Sequence, residues 1–136
     1  MQKIVLLLSM IFCHIVDDYY LQGWLASAKQ KKWWEENAPA KLYKHDYIIA
    51  LAEHAFSWTF MIHVPLFITM ILSNQYVNTS PFIEIFIFNW FVHAVTDDEK
   101  ANKKTINLIT DQIIHIIQIF ITWIIYISIR VRKISL

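Results

Sequence analysis

Four long apolar segments dominate this chain of 136 residues. They span about 4–22, 47–72, 81–99 and 105–129, so each is 19 to 26 residues long. At about 1.5 Å per residue, a helix of that length crosses the roughly 30 Å hydrocarbon layer of a bilayer. No alternating strand pattern bounded by turns accompanies these segments. The sequence therefore predicts an all-α fold, a single integral membrane bundle of four transmembrane helices.

Composition favours a membrane protein over a soluble one. Hydrophobic residues make up 57% of the chain, which has one Gly and three Pro, whereas soluble domains are nearer ~45–50% apolar. The lipid bilayer is therefore the expected partner. The net charge of +1 and the lack of a recognisable motif argue against nucleic acid as a partner. The single cysteine, Cys13, excludes an intramolecular disulfide.

The 24–46 connection alternates Trp with Lys, a pattern that suits the headgroup zone of a membrane. We expect a short interfacial helix here, between the first and second spans, with a solvated loop as the alternative. The 24–46 and 101–104 connections together with Lys100 contain eight lysines, and the 73–80 connection contains none. The positive-inside rule then predicts that both lysine-rich connections are cytoplasmic. Three basic residues near the C-terminus count against this orientation: Arg130, Arg132 and Lys133.

Four histidines lie at a common depth, one in each segment: His14, His54, His93 and His115. Each is seven to ten residues from the end of its segment that adjoins a lysine-rich connection. That separation places all four roughly 10–15 Å in from the same membrane face. Ionisable or strongly polar side chains are costly at such a depth and point to a functional site.

Three of these histidines have an aspartate four residues away: His14 with Asp18, His93 with Asp97, and Asp111 with His115. Residues four apart lie on one face of a helix, and in hydrocarbon that face must point into the bundle. Seven side chains are therefore predicted to converge as metal ligands: His14, Asp18, His54, His93, Asp97, Asp111 and His115. They suit one divalent metal ion or two, with Zn, Mn, Fe and Ni as candidates. The alternative is a metal-free polar network that fixes packing or relays protons.

The favoured function is a membrane-embedded, metal-dependent hydrolase acting on an amphiphilic small molecule in the cytoplasmic leaflet. The substrate class is lipid-like, a lipid phosphoester or ester, because such a molecule can enter sideways from the bilayer. A bound metal would activate water and polarise a carbonyl or phosphoryl oxygen. Asp18, Asp97 and Asp111 are the catalytic candidates among the ligands. Three further residues are expected to orient ligands or neutralise a phosphate: Gln22, Lys100 and Gln112.

Two alternatives use the same cluster differently. One is a metal-ion or proton transporter or channel, in which the residues form a transit site. The other is a non-catalytic membrane assembly factor, in which the polar stripe fixes packing. The sequence leaves the oligomeric state open.

Four pieces carry a resemblance to a known family: His14-Ile-Val-Asp-Asp18 with Gln22, the isolated His54, His93-Ala-Val-Thr-Asp97 with Lys100, and Asp111-Gln112-Ile-Ile-His115. In this order the chain resembles domain-of-unknown-function family 3307, small bacterial and phage membrane proteins. The resemblance implies a polytopic protein of the bacterial inner membrane and supplies no established activity. This chain departs from the pattern in its two Asp-Asp doublets, where the spacing favours Asp18 and Asp97.

Overall fold

The computed structural model describes residues 2–73 and 79–134, and within these ranges it contains helices and no strands. The helices are α1 (Gln2–Val16), α2 (Leu25–Ala28), α3 (Lys31–Asn37), α4 (Asp46–Leu72), α5 (Thr79–Asp98) and α6 (Leu108–Ile134). A π-helical turn extends α1 over Asp17–Leu21, and another extends α5 over Glu99–Lys103. The all-α prediction is confirmed. The predicted polar connection at 73–80 falls mostly on 74–78, outside the described residues, as do the side chains of Arg130, Arg132 and Lys133.

The four long helices pack as a ring. Helix α4 contacts α1 and α5, and α6 contacts the same two helices from the other side. Neighbours run antiparallel, as the contacts between α5 and α6 illustrate. Asp97 faces His115, whereas Asn89, two turns earlier, donates to Thr122, two turns later. Because neighbouring helices are antiparallel, the part of each helix that carries a cluster histidine lies at the same end of the bundle.

Three helices, rather than the predicted four, are long and apolar enough to span a membrane in the described part of the chain: Gln2–Leu21, Lys41–Leu72 and Leu108–Ile129. The remaining predicted span, 81–99, is the third in chain order and corresponds to α5. This helix is long enough to cross a membrane but has a lower mean hydropathy than the other spans because of its polar residues. Three of them, Asn89, His93 and Asp97, are completely buried. Helix α5 is therefore suited to a membrane only when the other helices cover its polar face.

Beyond the histidine–aspartate end, and bordering it at Trp58, the bundle has an apolar core formed by Met10, Trp58, Ile62, Leu66, Phe82, Ile119 and Tyr126. Large apolar side chains are also abundant on the outside. Phe12, Ile71, Phe91 and Ile109 are each at least 65% exposed. An exterior of this kind is unfavourable in water and matches lipid.

Two short helices, α2 and α3, occupy part of the 24–46 connection, where one short helix was predicted. The rings of Trp24, Trp33 and Trp34 pack edge to face with centroids 5.0–6.0 Å apart. On α3, two exposed Lys–Glu pairs lie at i,i+4 spacing and contribute little to stability. The position of these helices at a membrane surface stays a prediction.

Candidate metal site

The polar end of the bundle holds one buried cluster. All seven predicted ligands belong to it and are at most 8% exposed: His14, Asp18, His54, His93, Asp97, Asp111 and His115. They come from α1, its π-helical turn, α4, α5 and α6. The antiparallel ring brings these side chains together because each helix carries its polar residues at the same depth. Metal binding by these residues stays a prediction.

Asp97 is at the centre of the cluster. Its Oδ2 lies 3.0 Å from His54 Nε2 and 3.9 Å from His93 Nε2. Its Oδ1 lies 3.6 Å from His115 Nε2. His54 Nε2 is also 3.6 Å from Asp18 Oδ1 and 3.2 Å from His93 Nε2. One carboxylate thus faces three of the four histidines, with an imidazole on each side.

Two groups of three side chains have ligand atoms within 4.8 Å of one another: Asp18, His54 and His93, and His93, Asp97 and His115. Near the second group, three buried atoms that face one another lack a hydrogen bond of acceptable geometry within the described part of the chain. They are Asp97 Oδ1, Asp111 Oδ1 and His115 Nε2, and the imidazole nitrogen lies 3.6 and 3.3 Å from the two oxygens. Buried polar atoms without partners are costly and rare. Nitrogen and oxygen donors converging in this way fit a divalent cation.

His14 belongs to the cluster but has both ring nitrogens engaged. The indole Nε1 of Trp58 donates to His14 Nδ1 at 2.7 Å. Because an indole can only donate, neutral His14 must carry its proton on Nε2. That nitrogen lies 3.1 Å from Gln112 Oε1 and donates to it. The geometry therefore places His14 as a residue that orients Gln112, rather than as a free ligand.

Gln112 and Gln22 orient carboxylates, the role expected for them from the sequence. With its oxygen held by His14, Gln112 donates from Nε2 to Asp18 Oδ2 and Asp111 Oδ2, each at 3.0 Å. Gln22 donates to Asp18 Oδ1 at 3.0 Å and to the Asp18 carbonyl. These contacts fix the rotamers of two predicted ligands.

Lys100 closes the cluster at the end of α5. Its Nζ lies 2.5 Å from Asp111 Oδ2 and 3.9 Å from Asp97 Oδ1. Burial lowers the pKa of Lys100, but the hydrogen bond to Asp111 and the nearby carboxylates outweigh it, so its pKa is raised above the usual value. Lys100 is therefore an ammonium group paired with carboxylates.

Lys29 is a cluster member that sequence reasoning missed. Its side chain is buried, and its Nζ lies 2.5 Å from Asp97 Oδ2. The sequence placed Lys29 with the surface lysines of the 24–46 connection. The available signal was the small-residue run just before it, Ala26-Ser-Ala28, because small side chains let a backbone approach its neighbour closely.

Asp17 is also buried, although it is one residue off the predicted His14–Asp18 stripe. The π-helical turn starting at Asp17 widens the helix and brings both members of the doublet inward. Ser57 donates to Asp17 Oδ1 at 2.7 Å. Turns of this type occur often at functional sites but have no clear sequence signature.

A column of polar residues continues from the cluster into the bundle. His115 Nδ1 lies 3.4 Å from Gln118 Oε1, and Gln118 donates to Asn89 Oδ1 at 3.3 Å. Asn89 in turn donates to Thr122 at 2.7 Å. His63, the other mid-span histidine, stays apart from this column and contacts the Thr59 carbonyl.

An open groove of about 480 Å³ reaches the cluster from the side of the bundle. It runs between α1 and α6 and is lined by Ile11, His14, Ile15, Tyr19, Tyr20, Gln112 and Ile116. His14 and Gln112 are its polar residues next to the cluster. The groove therefore leads from the apolar exterior to His14 and Gln112, and Gln112 contacts the carboxylates of Asp18 and Asp111.

Comparison with protein families places this arrangement in a known group. The family model described as "Protein of unknown function (DUF3307)" matches residues 6–135, nearly the whole chain. The chain belongs to the DUF3307 family. No curated protein and no solved structure matches it. The family assignment confirms the resemblance seen in the sequence and carries no activity for the cluster.

The His14 geometry makes a testable prediction. Trp58→Phe keeps an aromatic ring next to His93, on which Trp58 stacks at 4.1 Å, but removes the N–H that His14 Nδ1 accepts. We expect a loss of about 1–3 kcal/mol in the free energy of unfolding, because a buried acceptor is left unpaired. In ¹⁵N NMR, the Nε2-protonated tautomer of His14 should no longer be the single form.

Trp90→Phe is the matched control. Its indole donates to the Ala52 carbonyl at 2.8 Å, outside the cluster. This variant should leave the His14 tautomer unchanged. An unaltered His14 signal in Trp58→Phe would show that Trp58 does not select the tautomer.

Proposed function

We propose that this chain is a membrane-embedded, metal-dependent hydrolase of an amphiphilic substrate. The observation that carries the proposal is that three buried potential metal-ligand atoms without a hydrogen bond converge on one point between α5 and α6. Asp97 Oδ1, Asp111 Oδ1 and His115 Nε2 face one another there, with His93 in the same ligand group. A network that served packing alone would be expected to satisfy these atoms.

The net negative charge of the cluster favours the binding of a cation. Four buried carboxylates, Asp17, Asp18, Asp97 and Asp111, are accompanied by two buried or half-buried ammonium groups, Lys29 and Lys100. With neutral histidines the formal excess is two negative charges. Uncompensated charge is strongly unfavourable in a dry bundle, and one divalent ion offsets this excess.

One ion per chain is the simplest occupancy. The two ligand groups share His93, and an imidazole normally binds a metal through one nitrogen. Asp97 Oδ1, Asp111 Oδ1 and His115 Nε2 face one another without a hydrogen bond in the described residues, so we place the ion there, with His93 as the fourth ligand. Four donors of nitrogen and oxygen suit Zn, Mn, Fe or Ni.

The protein's own residues supply the rest of the chemistry. A bound divalent metal lowers the pKa of water and polarises a carbonyl or phosphoryl oxygen. Asp18 lies across the cluster, held by Gln112 and Gln22, and is the candidate general base. Lys100, paired with Asp111, is placed to neutralise charge that develops on a phosphoryl or acyl oxygen.

The lateral groove supports the substrate class. Its isoleucines suit an acyl chain, and Tyr19 and Tyr20 near its mouth suit the interfacial zone of a bilayer. A substrate in this position has its polar group beside Gln112 and His14. A lipid ester or phosphoester in the cytoplasmic leaflet meets these requirements, with the lysine-rich connections on the cytoplasmic side.

The metal site is tested first by His93→Gln. We expect wild-type protein to bind one divalent ion per chain and the variant to bind it at least about 100-fold more weakly, because a ligand matters more than the outer partners that cost ~10–100-fold. Elemental analysis and a competition titration with purified protein measure this. His63→Gln, which removes an equally buried histidine outside the cluster, should bind metal normally. Wild-type protein that takes up none of the four metals would overturn the proposal.

The groove is tested by Ile116→Trp. A larger ring should obstruct the groove and lower the rate of hydrolysis of a fluorescent phospholipid at least about 10-fold, leaving metal affinity unchanged. Ile124→Trp is the matched control, since Ile124 is also exposed on α6 but does not line the groove. Equal activity of the two variants would exclude the groove as the route of entry.

A metal-ion or proton transporter is the second candidate, and the polar column through Gln118, Asn89 and Thr122 favours it. The apolar core beyond Thr122 counts against a continuous path. Proteoliposomes distinguish the two functions. If the protein is a hydrolase, Asn89→Leu should lower stability without abolishing lipid cleavage, and no ion flux should be measured. Ion flux that Asn89→Leu abolishes would replace the hydrolase by a transporter.

A further inference from the structure

The Lys29 ammonium binds the same Asp97 oxygen that His54 and His93 face, and this oxygen could serve a second cation position. We propose that the Lys29 ammonium permanently takes that position, so that the protein binds one metal ion where its carboxylates and histidines would otherwise bind two. The inference rests on the proposed metal site and concerns the number of ions that the site accepts.

Asp97 divides the cluster into two halves, one at each carboxylate oxygen. Oδ1 faces His115 and lacks a hydrogen bond within the described residues. Oδ2 faces His54 and His93 and already binds Lys29 Nζ at 2.5 Å. Lys100 Nζ stays 3.9 Å from Oδ1 and hydrogen-bonds Asp111 Oδ2 instead, so of the two Asp97 oxygens Oδ2 is the one that is hydrogen-bonded to an ammonium group.

The half that contains Lys29 has ligands of its own. Asp18, His54 and His93 form one of the two groups whose donor atoms lie within 4.8 Å of one another. With His93 bound to the first ion, Asp18 and His54 remain in this half, and Asp97 Oδ2 adds a third ligand atom, 3.0 Å from His54 Nε2. Without an ammonium group this set of nitrogen and oxygen donors would itself suit a divalent ion.

The backbone around Lys29 is held in place, so its position is a built feature of the fold. Asn102 donates from Nδ2 to the Lys29 carbonyl at 3.1 Å and accepts from the Lys31 amide at 2.7 Å. Trp34 donates to the Ala28 carbonyl at 2.7 Å. Ala28 is fully buried, and α2 packs on α4. Three hydrogen bonds and a small side chain thus bring this lysine to Asp97.

A lysine can occupy a cation position because its ammonium group is a compact cation with three hydrogen-bond donors and no acceptor. It neutralises Asp97 without needing to be acquired from solution. A tethered cation also has a high effective concentration at its site, which would exclude a second metal ion at ordinary metal concentrations.

The test measures metal stoichiometry, independently of activity. Wild-type protein in detergent is titrated with Zn²⁺ and analysed for bound metal per chain. Lys29→Ala removes the ammonium and leaves space, and it should raise the stoichiometry from one ion to two. Lys29→Arg keeps a cation and should stay at one. Lys32→Ala is the matched control, because Lys32 lies on the exposed face of α3 and pairs with Glu36.

The outcomes separate this inference from the proposed function. Wild-type protein that binds no metal overturns the metal site itself. Wild-type protein that binds two ions, or Lys29→Ala that binds only one, overturns the role of Lys29 and leaves the metal site standing. If Lys29→Ala does not fold, Asn102→Ala loosens the Lys29 backbone without touching the cluster. It should then allow a second, weaker Zn²⁺ to bind, and a single site in that variant would count against the inference.

Discussion

Four carboxylates buried in an apolar bundle are the constraint on which this structure depends. Removing such groups from water is costly, and each must find a cation or a donor inside the protein. Asp97 meets this requirement with Lys29 and His54 on one oxygen, and Asp111 meets it with Lys100 and Gln112. The antiparallel ring of helices satisfies these pairings together. Helix α5 in particular can be accommodated only once its partners are in place.

The same constraint divides the bundle along its length. One end contains the charged cluster, and the other contains an apolar core around Met10, Ile62 and Phe82. The apolar end packs in the ordinary way and holds the helices in register. That register determines which imidazole meets which carboxylate at the polar end. The apolar core and the charged cluster therefore lie in different parts of the bundle but depend on the same four helices.

Much of this arrangement could be predicted from the sequence. Counting residues from the ends of the apolar segments placed His14, His54, His93 and His115 at one depth, and helical spacing placed three aspartates with them. Those arguments use only local geometry. Three of the four predicted spans are long and apolar enough to cross a membrane in the described residues, and α5 is not among them because its polar residues lower its mean hydropathy. A helix that depends on its neighbours for burial is not identified as a span by its own composition.

The parts of the cluster that the sequence did not predict cannot be derived from the local spacing of residues. Asp17 is buried because a π-helical turn changes the register of α1 at its end. Lys29 is distinguished from Lys31 and Lys32 by its ion pair with Asp97, 68 positions later in the sequence. His14 has the expected position, but a single indole N–H determines which of its nitrogens carries the proton. In the last two cases a long-range contact assigned the role.

The lateral groove between α1 and α6 has a consequence for how occupancy would be controlled. If the groove takes the proposed lipid substrate, that ligand arrives from the bilayer and not from water. The relevant concentration is then the mole fraction of the ligand in the membrane, and inert lipid dilutes it even when the total amount is constant. The rate at which the ligand binds would be set by two-dimensional diffusion within one leaflet. A cell could therefore change the occupancy of this cluster by altering its lipid composition alone.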